Sequence, residues 1–158
     1  MNRSAILSLH FLALIFAGCL GSTGPNESCE DFDRQEQAAY WEQNAEKEGV
    51  VETESGLQYS VIEEGDGPKP TLDSTVVIDF EGRRIDGTVF QSTAGIGTQE
   101  TEVEGLLQGL EEGLQLMDEG ATFEFVLPSY LGYGETASGE FCPGTTLIFE
   151  VKLVEIIE

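Results

Sequence analysis

From Gly56 to the C-terminus, apolar residues recur at every second position in several short runs. Leu57, Tyr59 and Val61 alternate with polar neighbours; Val76, Ile78 and Phe80 do the same, and the turn dipeptide Asp86-Gly87 returns the chain through Val89 and Phe90. Successive side chains of a strand point to opposite faces, so this period predicts strands with one buried face, the middle pair joined as a hairpin. Phe123, Phe125 and Leu127 form a further run, and Leu147, Phe149, Val151 and Leu153 a long one near the C-terminus. Between the hairpin and these runs the period changes. Leu107, Leu110, Leu114 and Met117 fall at i, i+3, i+7 and i+10, one face of a helix, with Glu111, Glu112 and Gln115 on the other. The expected class is α+β, an antiparallel sheet of about five strands with one short helix lying on one face.

Upstream of the sheet the pattern is different again. Residues 30–49 lack Gly and Pro until Gly49, carry Ala38, Ala39, Tyr40, Trp41 and Ala45, and predict one N-terminal helix stopped by that glycine. Trp41 reads as a packing residue on it. Residues 20–28 are rich in Gly, Ser, Thr, Pro and Asn and read as a flexible tether. At the start, Arg3 precedes an apolar run from Ala5 to Ala17 broken only by Ser8 and His10, the layout of a signal peptide. As a helix that run covers about 20 Å, short of the roughly 30 Å hydrocarbon core of a bilayer. Phe16-Ala17-Gly18-Cys19 resembles the lipobox of bacterial lipoproteins, in which the chain is cut before the cysteine and the cysteine is lipidated; ordinary secretion with Cys19 unmodified is the alternative. The division expected is a signal peptide at 1–18, a lipidated tether at 19–29, a helix at 30–49 and the sheet domain at 50–158.

Charge and composition then remove function classes. At 158 residues the chain has room for one ordinary domain with tails. Seven Lys and Arg against thirty Asp and Glu give a net charge of -23, which repels nucleic acid phosphates, so no nucleic-acid partner is expected. Cleavage before Cys19 removes Arg3, leaving -24, and removes His10, the only histidine. Without histidine there is no Ser-His-Asp or Cys-His mechanism and no His-containing metal site. Cys29 and Cys142 lack the close spacing of a zinc knuckle or of a redox Cys-x-x-Cys pair. No metal and no cofactor are expected.

Several local patterns coincide with one family. Gly56-Leu57-Gln58-Tyr59, Gly65-Asp66-Gly67, Phe80-Glu81-Gly82, Asp86-Gly87-Thr88-Val89-Phe90, the run from Gly109 to Met117, Leu131-Gly132-Tyr133-Gly134 and the run from Thr146 to Val151 resemble, in order and spacing, an FKBP-type peptidyl-prolyl cis-trans isomerase. Lys47-Glu48-Gly49-Val50 ahead of Ser55-Gly56 is similar to the bacterial envelope branch related to macrophage infectivity potentiators. That branch often adds a long N-terminal dimerisation region; one helix before the domain argues against dimerisation by that route. The resemblance implies an FKBP-like fold, an antiparallel twisted sheet of about five strands wrapped around one short helix, and, as substrates, proline-containing unfolded or exported polypeptides. It also implies a lipid-anchored location in the cell envelope, with the outer membrane preferred because Leu20, not aspartate, follows Cys19.

Carried over by motif, the resemblance makes Tyr133, Phe90 and Phe149 the catalytic residues, and Phe80, Gln91, Leu106, Leu107, Leu110 and Phe141 the substrate-binding ones. The bland readings are core packing for Phe149, loop closure for Tyr133 and helix-face packing for Leu106 and Leu107. Five departures stand out: Phe80 replaces a frequent tyrosine, Gln91 the usual aspartate, Leu110 a tryptophan floor and Cys142 a proline, and the stretch Thr98 to Thr101 offers no aromatic where relatives often have one. A roomier, less aromatic pocket is expected, which counts against macrolide binding and catalytic efficiency. The runner-up reading is a noncatalytic FKBP-like chaperone or binding module. With Cys19 lipidated in an oxidising compartment, Cys29 and Cys142 remain as the one intramolecular pair, and a disulfide between them is expected; two unrelated free thiols are the alternative.

Overall fold

A computed structural model of the chain describes residues 29, 32–136 and 141–157. The expected signal peptide, the lipidation site Cys19 and the tether up to Ser28 lie outside the described residues, as do Glu30 and Asp31 at the start of the expected helix.

Helix α1 runs Arg34–Ala45, capped by Asp33, whose carboxylate accepts from the backbone N–H groups of Gln35 and Glu36. Strands follow at β1 Val50–Glu52, β2 Gln58–Glu63, β3 Thr75–Arg84, β4 Val89–Ser92 and β5 Gln99–Glu102, then α2 Gln108–Leu116, β6 Thr122–Leu127 and β7 Leu147–Ile157. All pairings are antiparallel, in the order β1-β2-β6-β7-β3-β4, with β5 also on β3. The long strand β3 lies along β7 over its whole length, while its other edge is shared: β5 pairs Thr75 to Ile78 and β4 pairs Glu81 to Arg83. The chain bulges out between them, held by Thr93, whose hydroxyl accepts from the Phe80 N–H at 2.8 Å and bonds the Asp79 carboxylate. Seven strands form where about five are expected, the additions being β1 and β5, of three and four residues.

Register decides which face each residue serves. Phe125 opposite Phe149, Phe123 opposite Val151 and Ile78 opposite Leu153 share the inner face, against which α2 lays Leu114 and Met117. Val126 opposite Ile148 points the other way, yet the two are only 1% and 2% exposed. Helix α1 lies against that outer face. Gln37 Oε1 accepts from the Thr146 N–H at 3.0 Å, Trp41 Nε1–H donates to Gly56 O at 3.1 Å, and Asn44 Nδ2–H to Gln58 Oε1 at 2.9 Å. These three residues fall at i, i+4 and i+7, one stripe of the helix, and every buried polar side-chain atom among the described residues has a partner. Cys29 and Cys142 are joined in a disulfide with Cα atoms 5.7 Å apart, as expected. Among the described residues no helix is long and apolar enough to cross a membrane.

Candidate active site

A cavity of about 260 Å³ opens between the inner face of the sheet and the N-terminal end of α2. One wall is apolar and comes from the helix: Leu106, Leu107, Leu110 and Leu114. The floor and the opposite wall come from the strands, where Ile78, Phe80, Phe149 and Val151 occupy alternate positions of β3 and β7. Gln91, Gln99 and Thr101 make a polar margin, and Tyr133 completes the wall from the loop after β6. A sheet can line a cavity here because α2 ends its contact with the strands at Leu110: Leu114 is buried and Leu110 only partly so.

Of the nine catalytic and substrate-binding residues expected from the sequence, Phe80, Gln91, Leu106, Leu107, Leu110, Tyr133 and Phe149 line this cavity. Phe90 and Phe141 stand behind it. Phe90 meets Phe149 edge-on at 5.6 Å between ring centroids and Phe141 edge-on at 4.9 Å; Phe141 in turn stacks on Tyr133 at 4.3 Å. These are favoured geometries for ring quadrupoles, and the chain of rings links the two cavity aromatics Phe149 and Tyr133 through residues that do not themselves face it. Gly82 makes the cluster possible. A Cβ there would stand 2.7 Å from Phe90 Cζ and 2.8 Å from Phe149 Cε1, so the β3 backbone has to be bare where the rings close over it.

The polar groups that face the cavity are few. Among the described residues neither the Leu107 N–H, which stands at the N-cap position of α2, nor the Tyr133 hydroxyl makes a hydrogen bond. Gly105, with φ +92°, turns the chain into the helix, and its N–H is taken up by Glu111 Oε1 at 2.8 Å. The Leu107 and Tyr133 donors, with the side-chain amides of Gln91 and Gln99 on the margin, are available to a ligand at a largely apolar site. The cavity has no charged side chain on its lining; Gln91 is neutral where a carboxylate would have been an acceptor. Sequence reasoning missed Ile78, Gln99, Thr101, Gly105, Leu114 and Val151. Four of these are core-facing or turn positions that look alike in any packed sheet, and the two polar ones sit on β5, which has no apolar period to mark it.

With a largely apolar, charge-free cavity on a sheet wrapped around a short helix, the chain belongs to the FKBP-type peptidyl-prolyl cis-trans isomerase family. The family model so described matches residues 67–154, and the model for the domain amino-terminal to FKBP-type peptidyl-prolyl isomerase matches residues 27–61. A probable FKBP-type peptidyl-prolyl cis-trans isomerase FkpA of Neisseria meningitidis is 42% identical over 126 residues, covering 78% of this chain and 46% of the relative. The 22 kDa FKBP-type isomerase of Escherichia coli is 45% identical over 75% of this chain and 58% of its own length. An outer membrane protein MIP of Legionella longbeachae is 41% identical over 75% and 52%. The chain therefore spans about half the length of the curated relatives it matches. Among solved structures, FkpA from Escherichia coli superposes with a TM-score of 0.75 at 31% identity, over 77% of this chain and 58% of that one. A peptidyl-prolyl cis-trans isomerase from Pseudomonas syringae gives 0.74 at 27% identity, over 87% of this chain and all of its own.

Proposed function

We propose that this chain is a peptidyl-prolyl cis-trans isomerase acting at X-Pro bonds of exported polypeptides. Rotation about a peptide bond meets a barrier of about 18 to 20 kcal/mol from amide resonance, and X-Pro bonds are the ones that populate both isomers. The reaction moves no proton and needs no nucleophile, so a site without histidine, metal ligands or lining charge suffices. On the way to the transition state the C–N bond loses double-bond character and the amide its charge separation. A dry pocket favours that twisted form over the polar planar one.

The observation that carries this reading is the cavity itself: an apolar slot the size of a proline ring with its neighbours, walled by Phe80, Leu106, Leu107, Leu110 and Phe149. In the proposed pose the proline ring enters between Phe149 and the leucines. The carbonyl before the proline accepts from the Tyr133 hydroxyl, and the Leu107 N–H binds the backbone beyond it. Each 1.36 kcal/mol of preference for the twisted amide is worth tenfold in rate. A protease-coupled proline-peptide assay on the purified protein tests the reading; a rate constant indistinguishable from buffer would leave the alternative, a noncatalytic binding module, which the uncharged margin at Gln91 and the absence of a tryptophan at Leu110 favour.

The location follows the same logic. The signal-peptide layout and Cys19 place the protein, in our reading, at the cell envelope on a lipid anchor, with the outer membrane preferred. The disulfide suits an oxidising compartment, and one relative is named an outer membrane protein. Metabolic labelling of Cys19 with a radioactive fatty acid, lost in Cys19→Ala, is the test.

A further inference from the structure

We propose that the Cys29–Cys142 disulfide, together with α1, is a positioning element for the aromatic side of the cavity, so that isomerase activity depends on a bond that does not itself line the cavity. The proposal rests on the isomerase reading above.

Tyr133 and Phe141 lie in chain segments, 132–136 and 141–146, that belong to no helix and, apart from a single bridge at Phe141, to no strand. The ladder that fixes Phe80 and Phe149 therefore does not fix them. Arg84 of β3 lies over the Phe141 ring at 5.6 Å and the Gly134 N–H donates to Ser129 O at 2.7 Å; the other ties come from the N-terminal segment. Cys142, the residue after Phe141, is bonded to Cys29. Arg34 of α1 donates to Glu135 Oε2 at 2.6 Å, two residues beyond Tyr133, and Ser129 holds the other oxygen of the same carboxylate at 2.7 Å. The Arg34 side chain also passes across Gly144, 3.7 Å from where a Cβ would stand. Gln37 accepts from the Thr146 N–H, and the Gly144 N–H closes on Gly134 O at 3.0 Å. Both arms of the segment are thus stapled to α1.

The connection from the staple to the chemistry is the ring chain. Phe141 stacks on Tyr133 within 16° of parallel and meets Phe90 at 87°, and Phe90 meets Phe149 at 85°. Tyr133 and Phe149 line the cavity. Aromatic contacts of this kind depend steeply on offset and tilt, so a displaced Phe141 backbone moves both ends of the chain. The leucine wall on α2 is independent of the staple.

Thiol–disulfide exchange provides the test. An external dithiol supplies two electrons and two protons, leaving two protein thiols and its own cyclic disulfide. On reduction, kcat/KM for a proline tetrapeptide is expected to fall about three- to tenfold, the fold-change of one lost aromatic contact, and to return on reoxidation. The one tryptophan, Trp41, reports α1: its emission should stay unchanged, because its bond to Gly56 O does not involve the disulfide. In Phe141→Leu, whose activity is already lower, reduction should cost nothing more, since the relay ring is gone. The proposal is overturned by unchanged kcat/KM in reduced protein, or by an equal further loss in reduced Phe141→Leu. Cys29→Ser/Cys142→Ser repeats the measurement without dithiol, and the reversible reduction decides if that variant does not fold. Should the oxidised protein show no activity, the functional reading fails instead, and positioning is judged by NMR: the ring resonances of Tyr133 and Phe141 shift on reduction, or the proposal falls.

Discussion

Replacing Gly82 by alanine tests whether the aromatic cluster, and not the strand, sets the requirement for glycine. On backbone grounds alone the change should stabilise, since glycine in a strand interior costs roughly 0.5 to 1 kcal/mol relative to alanine. The packing opposes it. The new Cβ would stand 2.7 Å from two atoms of Phe90 and 2.8 Å from Phe149 Cε1, against the 3.5 to 4.0 Å that carbon atoms prefer. The Phe149 ring is 2% exposed and has nowhere to go; Phe90 is half-buried and must withdraw, breaking its edge-on contacts. Overpacking of this kind costs about 1 to 3 kcal/mol. Taking the backbone gain from that leaves a net loss centred on about 1 kcal/mol, or roughly 3 to 6 °C in Tm for a domain of this size. Thermal and urea unfolding measure the stability, and the protease-coupled assay should show a lower kcat/KM because Phe149 lines the cavity. The double variant Gly82→Ala/Phe90→Leu supplies the cycle: a smaller, non-planar side chain should relieve the clash and make the pair less destabilising than the sum of its parts. A Gly82→Ala protein as stable as the parent, or strictly additive with Phe90→Leu, would refute the reasoning.

Three further outcomes are expected. Tyr133→Phe and Phe90→Ala should both lower isomerase activity in folded protein, Phe90→Ala more, because it removes the ring between Phe141 and Phe149 and admits water; unchanged rates in both would remove the site assignment. Tm should rise from dilute buffer to about 1 M sodium chloride, where the screening length shrinks to about 3 Å, since the chain carries -23 and places Glu124 directly opposite Glu150 on the outer face; a flat curve would mean the acids are compensated locally. Glu135 should titrate below an ordinary glutamate, because the Ser129 hydroxyl and then Arg34 favour its charged form. Its contribution to stability is therefore present above the ordinary glutamate range and is lost as pH falls through the lowered value. Ser129→Ala and Arg34→Gln should each raise the midpoint seen by carboxyl NMR.

What the sequence by itself determined is everything that rests on a repeated pattern over enough residues. Period-two apolar runs located β2, β3, β6 and β7, and the i, i+3, i+7 face located α2, while Tyr133, Phe149 and the leucine pair were assigned to the site by the motifs' resemblance to the FKBP family and do line the cavity. The expectation that Cys19 is lipidated in an oxidising compartment, which would leave two thiols, also anticipated the Cys29–Cys142 bond that the fold contains. The tertiary structure decided what depends on a partner distant in the chain. Strand β5, Gln-Glu-Thr-Glu, has no apolar period and exists because the free edge of β3 offers it hydrogen bonds. The inward stripe of α1 is buried Gln37 and Asn44 with partly buried Trp41, not an apolar face, because the backbone of Thr146 and Gly56 and the side chain of Gln58 on the outer side of the sheet need hydrogen-bond partners. Alternation likewise marks Ile78, Phe80 and Phe149 equally as core; only where α2 stops covering them does the inner face become a cavity. Phe90 and Phe141 stand behind that cavity and not on it for the same reason: which side of a ring faces substrate is set by the other rings packed against it, and those contacts join residues from four separate segments.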